Sequence, residues 1–198
     1  MFKKLKKNNS TQIEPITKET YSTAIIDYLN HDFTGTTLGV KSVILSLFEQ
    51  NYLTIDEKHI NLGTPWAPDE ADIIQLALTS SVDPDNLTVM EDHMIKWLIF
   101  TFGDGVYTNL TQVLQDVNKK DFIQANQDMF RGYNNKLKLV ATELNLIEEQ
   151  PTPFGLKQQE FYQSHETTSM NSLKLVYGES IEVNEQLQIL LNLFDQIL

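Results

Sequence analysis

The residues to weigh first for chemistry are four histidines, His31, His59, His93 and His165, because imidazole serves metal binding and proton transfer near neutral pH. None has a second histidine four residues away, the spacing that sets two ligands on one helix face in a zinc site. Glu91, Asp92 and His93 are adjacent, so on a helix they point to different faces. Asp83-Pro84-Asp85 opens like a calcium loop but lacks its glycine and distal glutamate, and the same residues make a good turn. No Gly-x-Ser-x-Gly elbow, P-loop or dinucleotide fingerprint occurs. Gly103-Asp104-Gly105 reads as a helix-ending turn, and Asp69-Glu70 and Glu148-Glu149 as solvated acidic edges. These residues predict no catalytic group, no metal and no cofactor.

Charge weighs against nucleic acid. The chain carries 15 basic and 27 acidic residues, a net of -12. Lys3, Lys4, Lys6 and Lys7 all fall in the first seven residues, which leaves 11 basic against 27 acidic residues beyond them, a net of -16. A reader helix needs Arg or Lys for phosphates and base edges, and the stretch Thr37–Gln50 offers only Lys41. A phosphate backbone would be repelled by such a body. The basic leader is another matter: with Phe2 and Leu5 interleaved, its four lysines can meet an anionic membrane surface. The longest apolar run, Trp97 to Phe102, is far short of the ~20 residues of a spanning helix. The lysines are followed by polar Asn8-Asn9-Ser10 and not by a signal-peptide core. The absence of cysteine fits a reducing compartment.

The elements that must position these groups follow from periodicity. Residues 1–19 form a flexible basic leader, and residues 20–82 a first unit. Its first helix runs from a Thr20 or Ser22 cap to Asn30, with Tyr21, Ile25, Ile26 and Leu29 on one face. A second starts near Thr36 or Thr37 and carries Leu38, Val43, Ile44, Leu47 and Phe48; Asn51 is its left-handed stop. Leu53, Ile55, Ile60 and Leu62 then alternate, predicting two short strands with a turn at Glu57-Lys58. Residues 63–70 are a loop, and Ile73–Thr79 a further strand pairing with that hairpin. A helix leading into a hairpin is the closing half of a winged-helix unit.

Residues 83–153 predict a second unit. Thr88 and Glu91 have capping-box spacing ahead of a buried helix with Met90, Met94, Trp97, Leu98 and Thr101 inward. A short helix is expected over Leu110–Val117, capped by Thr108 or Asn109. A long helix follows from Asp121 to about Leu144, with Phe122, Ala125, Met129, Tyr133, Leu137, Val140 and Leu144 inward and Gly132 weakening its middle. Glu49-Gln-Asn51 before Tyr-Leu-Thr-Ile-Asp56 parallels Glu143-Leu-Asn145 before Leu-Ile-Glu-Glu149, a repeat in which each helix ends on Asn and enters an acidic-edged strand. Residues 154–198 form a C-terminal extension. Its middle gives no clear pattern beyond a strand at Leu173–Tyr177, and an amphipathic helix from about Asn184 carries Leu187, Leu190, Leu191, Phe194 and Leu198.

Several segments carry a family resemblance. They are Ala24-Ile-Ile-Asp-Tyr-Leu29, Val43-Ile-Leu-Ser-Leu-Phe48 leading into Asn51-Tyr-Leu-Thr-Ile55, Leu87-Thr-Val-Met-Glu91, Trp97-Leu-Ile-Phe100 and Gly105-Val-Tyr-Thr-Asn-Leu110. Over residues 20–150 the chain resembles the cytosolic, winged-helix-like segment of an uncharacterised family of bacterial predicted membrane proteins. That family has an extracytoplasmic β-rich domain and membrane helices, both missing here, so the chain is expected to be an excised segment or a shortened relative. The resemblance implies a cytoplasmic place at the inner face of the cell membrane and transfers no catalytic residue.

The expectation is an α+β, mainly helical protein of tandem winged-helix-like units with a C-terminal helix, acting as a non-catalytic protein-interaction or regulatory segment. A winged-helix nucleic-acid-binding regulator is the alternative, and an enzyme with an unmarked site a third reading. The carriers of an interaction, with a protein partner or in a homodimer, would be Trp66 between its prolines, the wing, or the Leu187–Leu198 stripe. Against this stands packing within the chain itself, with the stripe in the core and Trp66 plugging the gap between units.

Overall fold

The computed structural model describes residues 21–61, 63–79, 84–102, 108–109, 117, 119–164 and 185–198. The class is α+β and mainly helical. Helix α1, Thr23–Asn30, buries Ala24, Ile25, Ile26, Tyr28 and Leu29. Asp32 and Phe33 then take left-handed backbone (φ 53° and 58°), which reverses the chain within a few residues. Thr36 caps α2, Thr37–Glu49, its hydroxyl accepting from Leu38 N and Gly39 N at 3.1 and 3.4 Å. Val40, Val43, Ile44 and Leu47 form the inward face of α2. Leu38 and Phe48, expected on that stripe, are only half-buried at its margins.

Asn51 ends α2 as its sequence predicts, with φ 57°. Its N–H bonds Phe48 O, and Tyr52 N reaches back five residues to Leu47 O at 2.9 Å, closing the last turn. The chain then runs straight into β1, Leu53–Asn61. The turn expected at Glu57-Lys58 is therefore a correction: both residues lie inside one nine-residue strand. Neither is a residue that favours left-handed backbone, whereas Asn61, Gly63, Pro65 and Pro68 gather just beyond. The partner strand is β2, Glu70–Leu78, antiparallel to β1 in a register from Leu53↔Leu78 to Asn61↔Glu70. Thr108–Asn109 was expected to cap a helix; instead it forms β3, pairing with Leu76 and Gln75. The sheet order is β1-β2-β3. Leu53, Ile55, Gln75 and Leu76 anchor the base of the hairpin in the core, while residues 56–59 are exposed. The hairpin thus reaches out beyond what it packs on.

Helix α3, Val89–Phe102, begins with the capping box read from sequence: Thr88 N donates to Glu91 Oε2 at 2.9 Å and Glu91 N to Thr88 Oγ1 at 3.2 Å. Helix α4, Lys120–Glu143, lies across it. Gly132 sits at their crossing, where a Cβ would come within 3.0 Å of the His93 ring, so the glycine permits the approach. Trp97 Nε1 donates to the buried Asn126 Oδ1 at 2.8 Å, Thr101 Oγ1 donates to the same oxygen at 2.9 Å, and Asn126 Nδ2 donates to Phe122 O. Tyr133, Leu137 and Ala141 complete the inward face of α4.

Asn145, at φ 58°, repeats the geometry of Asn51, with Leu146 N bonded to Ala141 O at 2.9 Å. After it the two segments diverge. Ile147 makes a single bridge to Pro151, and Thr152 caps a further helix, α5, Pro153–Ser164, by accepting from Gly155 N at 2.9 Å. Where the first segment enters a nine-residue strand, the second turns at once into a helix. Helix α5 falls in the stretch whose pattern was not legible. It packs on α1, with the Tyr162 and Tyr21 rings 5.9 Å apart. The last helix, α6, Glu185–Ile197, buries Leu187, Leu190, Leu191, Leu193, Phe194 and Ile197, and Phe194 meets Trp97 edge-on at 5.3 Å. Side chains from all six of these helices and from β1 and β2 join one core, across the expected boundaries at 82/83 and 153/154. The short helix expected at Leu110–Val117, apart from Val117, and the strand at Leu173–Tyr177 lie outside the described residues.

Candidate functional site

The distal end of the hairpin is built as a rigid mount for one side chain. Asn61 Oδ1 accepts from Gly63 N at 2.9 Å and from Asp69 N at 3.1 Å, clamping the two sides of the tip together. Inside that clamp Thr64 N donates to Ala67 O at 3.1 Å, and Ala67 N donates to Thr64 O at 3.0 Å and to Thr64 Oγ1 at 3.2 Å. Pro65 and Trp66 occupy the centre of this turn, proline at the position where its fixed φ is already suited. A Cβ on Gly63 would lie 2.1 Å from Ala67 O and 2.5 Å from Asp69 N, so only glycine lets the strands close there. The indole of Trp66 is 94% exposed. Its expected role as a plug between units is thereby corrected: among the described residues nothing buries the indole at the distal end of the hairpin.

Around the indole the charge is acidic. From His59 to Glu70 the only ionisable residues are His59, Asp69 and Glu70. His59 Nε2 lies 3.3 Å from Glu70 Oε2, but both side chains are more than three-fifths exposed, so water screens the pair. No Lys or Arg occurs between Lys58 and Lys96, a stretch that contains seven acids from Asp69 to Asp92.

The leucine-rich stripe lies elsewhere. Leu187, Leu190, Leu191 and Phe194 are buried and Leu198 is half-buried against the core, so the stripe is occupied within the chain and offers no surface. Leu193 and Ile197 belong to the same buried face and were not picked out; they lie one helical turn from residues that were. Lys3, Lys4, Lys6 and Lys7 lie outside the described residues. Other exposed apolar side chains are Val89 and Phe100 at opposite ends of α3, Leu139 on α4, and Leu156 and Phe161 on α5, all less exposed than Trp66. The loop expected over residues 63–70 forms the tip, and Asn61, which clamps it, belongs to an Asn-x-Gly turn signal beside two prolines.

Two buried acids complete the inventory. Asp27 accepts from Thr36 N at 3.1 Å and Thr36 Oγ1 at 2.8 Å, with His31 Nδ1 at 3.2 Å. Burial pushes its carboxyl up, against the opposing Thr36 hydrogen bonds, the His31 charge and the Gly39 N–H. The buried Tyr133 hydroxyl is also pushed up, by burial and then by the Asp27 charge. Glu91 behaves in the opposite way. Burial acts to raise it, but hydrogen bonds from Thr88 N, Ser46, the Thr88 hydroxyl and Gln50 outweigh that and hold it low. Both acids are 5% exposed or less and bond helix starts, which is a structural task. Among the described residues no three His, Asp or Glu side chains converge to hold a metal ion, and no helix is long and apolar enough to cross a membrane.

No family model, curated protein or solved structure matches the chain.

Proposed function

We propose that the chain is a non-catalytic protein-interaction module that docks through Trp66 at the tip of the β1–β2 hairpin. The observation that carries this reading is the 94% exposure of the largest side-chain type on a turn held by five hydrogen bonds. An indole left in water forgoes a hydrophobic gain of about 1.5–3 kcal/mol, which burial against a partner recovers. Tryptophan is also the side chain most enriched among residues that dominate binding energy. Because the turn is already ordered, docking immobilises little further, which lowers the entropic cost of association. The place of action in the same proposal is the cytoplasmic face of a membrane, with Lys3, Lys4, Lys6 and Lys7 supplying a cationic cluster to a chain that is otherwise at -16.

A photoreactive phenylalanine analogue in place of Trp66 tests the docking site in the cells that make the protein. Irradiation should join the full chain covalently to another protein through position 66. The same analogue at the exposed Glu160 of α5 serves as a control and should give no such product. Equal labelling from both positions, or none from either, would overturn the reading.

A further inference from the structure

We infer that the surface that receives Trp66 is an apolar slot rimmed by lysine and arginine on another protein; this rests on the docking role of the hairpin tip. The sign of the field supports it. Asp69 and Glu70 directly follow the turn that carries Trp66, the exposed part of β1 sets Asp56 and Glu57 beside Lys58 and His59, and no Lys or Arg follows Lys58 until Lys96. The chain beyond its leader is at -16, so attraction toward a cationic face operates at long range as well as at contact. The same charge opposes the other occupants of an exposed indole. An anionic leaflet would repel Asp69 and Glu70 as Trp66 entered it. A second copy would bring acid against acid at the tip.

The chemistry of the slot follows. An apolar floor takes the ring, and cations at its rim meet Asp69 and Glu70, the latter paired within the chain with the solvent-exposed His59. Binding should therefore combine a salt-sensitive association with a release rate governed by the buried ring.

Fluorine NMR on the full chain grown with 5-fluorotryptophan gives one resonance for Trp66 and one for Trp97, assigned with Trp66→Phe. The probes are a synthetic amphipathic helix of leucine and lysine, its leucine and glutamate counterpart, and vesicles of neutral or of anionic phospholipid. The lysine peptide should move the Trp66 signal and leave that of the buried Trp97 in place. Its affinity should fall at least about tenfold between roughly 50 and 300 mM salt, and Trp66→Ala should weaken it about tenfold or more. An equal response to the glutamate peptide, a Trp66 shift with either vesicle, a shift with protein concentration alone, or no shift with any probe would overturn the inference. These outcomes are separable from the docking role: cross-links from position 66 to proteins lacking a basic surface would leave that role standing and remove only the cationic slot.

Discussion

Ser46 on α2 donates a 2.9 Å hydrogen bond to Oε1 of Glu91, whose other oxygen takes the Thr88 N–H at the start of α3. One carboxylate thus caps a helix and fastens it to a neighbour 45 residues earlier in the chain. Because these bonds hold Glu91 below the usual glutamate range, its ionised form is favoured by folding. Its contribution is present above the unfolded value and is lost as the pH falls through the folded one. Urea unfolding at a series of acidic pH values should show that decline, and Glu91→Gln should flatten it. At neutral pH Glu91→Ala should cost about 1–3 kcal/mol.

Asp27 carries the opposite sign. Its carboxyl is raised by burial, so folding favours the protonated form. That contribution is complete below the unfolded value and disappears as the pH rises through the raised folded one. In the same titration, Asp27→Asn should remove a loss of stability on going up from the ordinary aspartate range, whatever its absolute stability. An unchanged pH profile would mean that Asp27 is ionised at no cost in the folded protein.

Asn126 holds Trp97 and Thr101 with one oxygen. Asn126→Ala leaves the buried indole N–H without an acceptor and should cost about 1–3 kcal/mol in urea unfolding. Near-UV circular dichroism is the second readout, since the Trp97 environment should loosen.

Two kinds of contact hold α6 to the rest, and they differ in weight. Leu190→Ala or Phe194→Ala should destabilise by about 2–5 kcal/mol, the range for emptying a packed core site. The Lys41 Nζ to Asp195 Oδ2 contact of 2.6 Å joins groups at the surface, and Lys41→Ala should cost no more than about 1 kcal/mol. Thermal unfolding of the three variants decides between burial and charge as the main fastening.

Asn51 and Asn145 stand at φ 57° and 58°. Replacement of either by Gly should be neutral or mildly stabilising, since glycine has no Cβ to strain there. Alanine at the same positions should cost about 1–2 kcal/mol each. If alanine were tolerated as well as glycine, the helix ends would have to unwind into a different turn.

What could be read from the chain alone is what depends on neighbours in sequence. The Thr88/Glu91 box, the left-handed asparagines after α2 and α4, and the apolar faces of α1, α3 and α6 all arise within one or two helical turns, and the α+β, mainly helical class follows from them. Helix α5 was not legible because its inward residues include Gly155 and Gln158, which carry no apolar signal and bury only through close approach to Leu146 and α1. The strand through Glu57-Lys58 was missed for a related reason: its outer half is exposed and owes its form to pairing with β2, a partner chosen at a distance. The tertiary structure alone decided which apolar groups face water. Phe194 and Trp66 are both large and apolar, and neither sequence neighbourhood tells them apart. One meets Trp97 in a core assembled from six helices, and the other stands on a hairpin that extends past it, because burial is set by what the rest of the chain brings near.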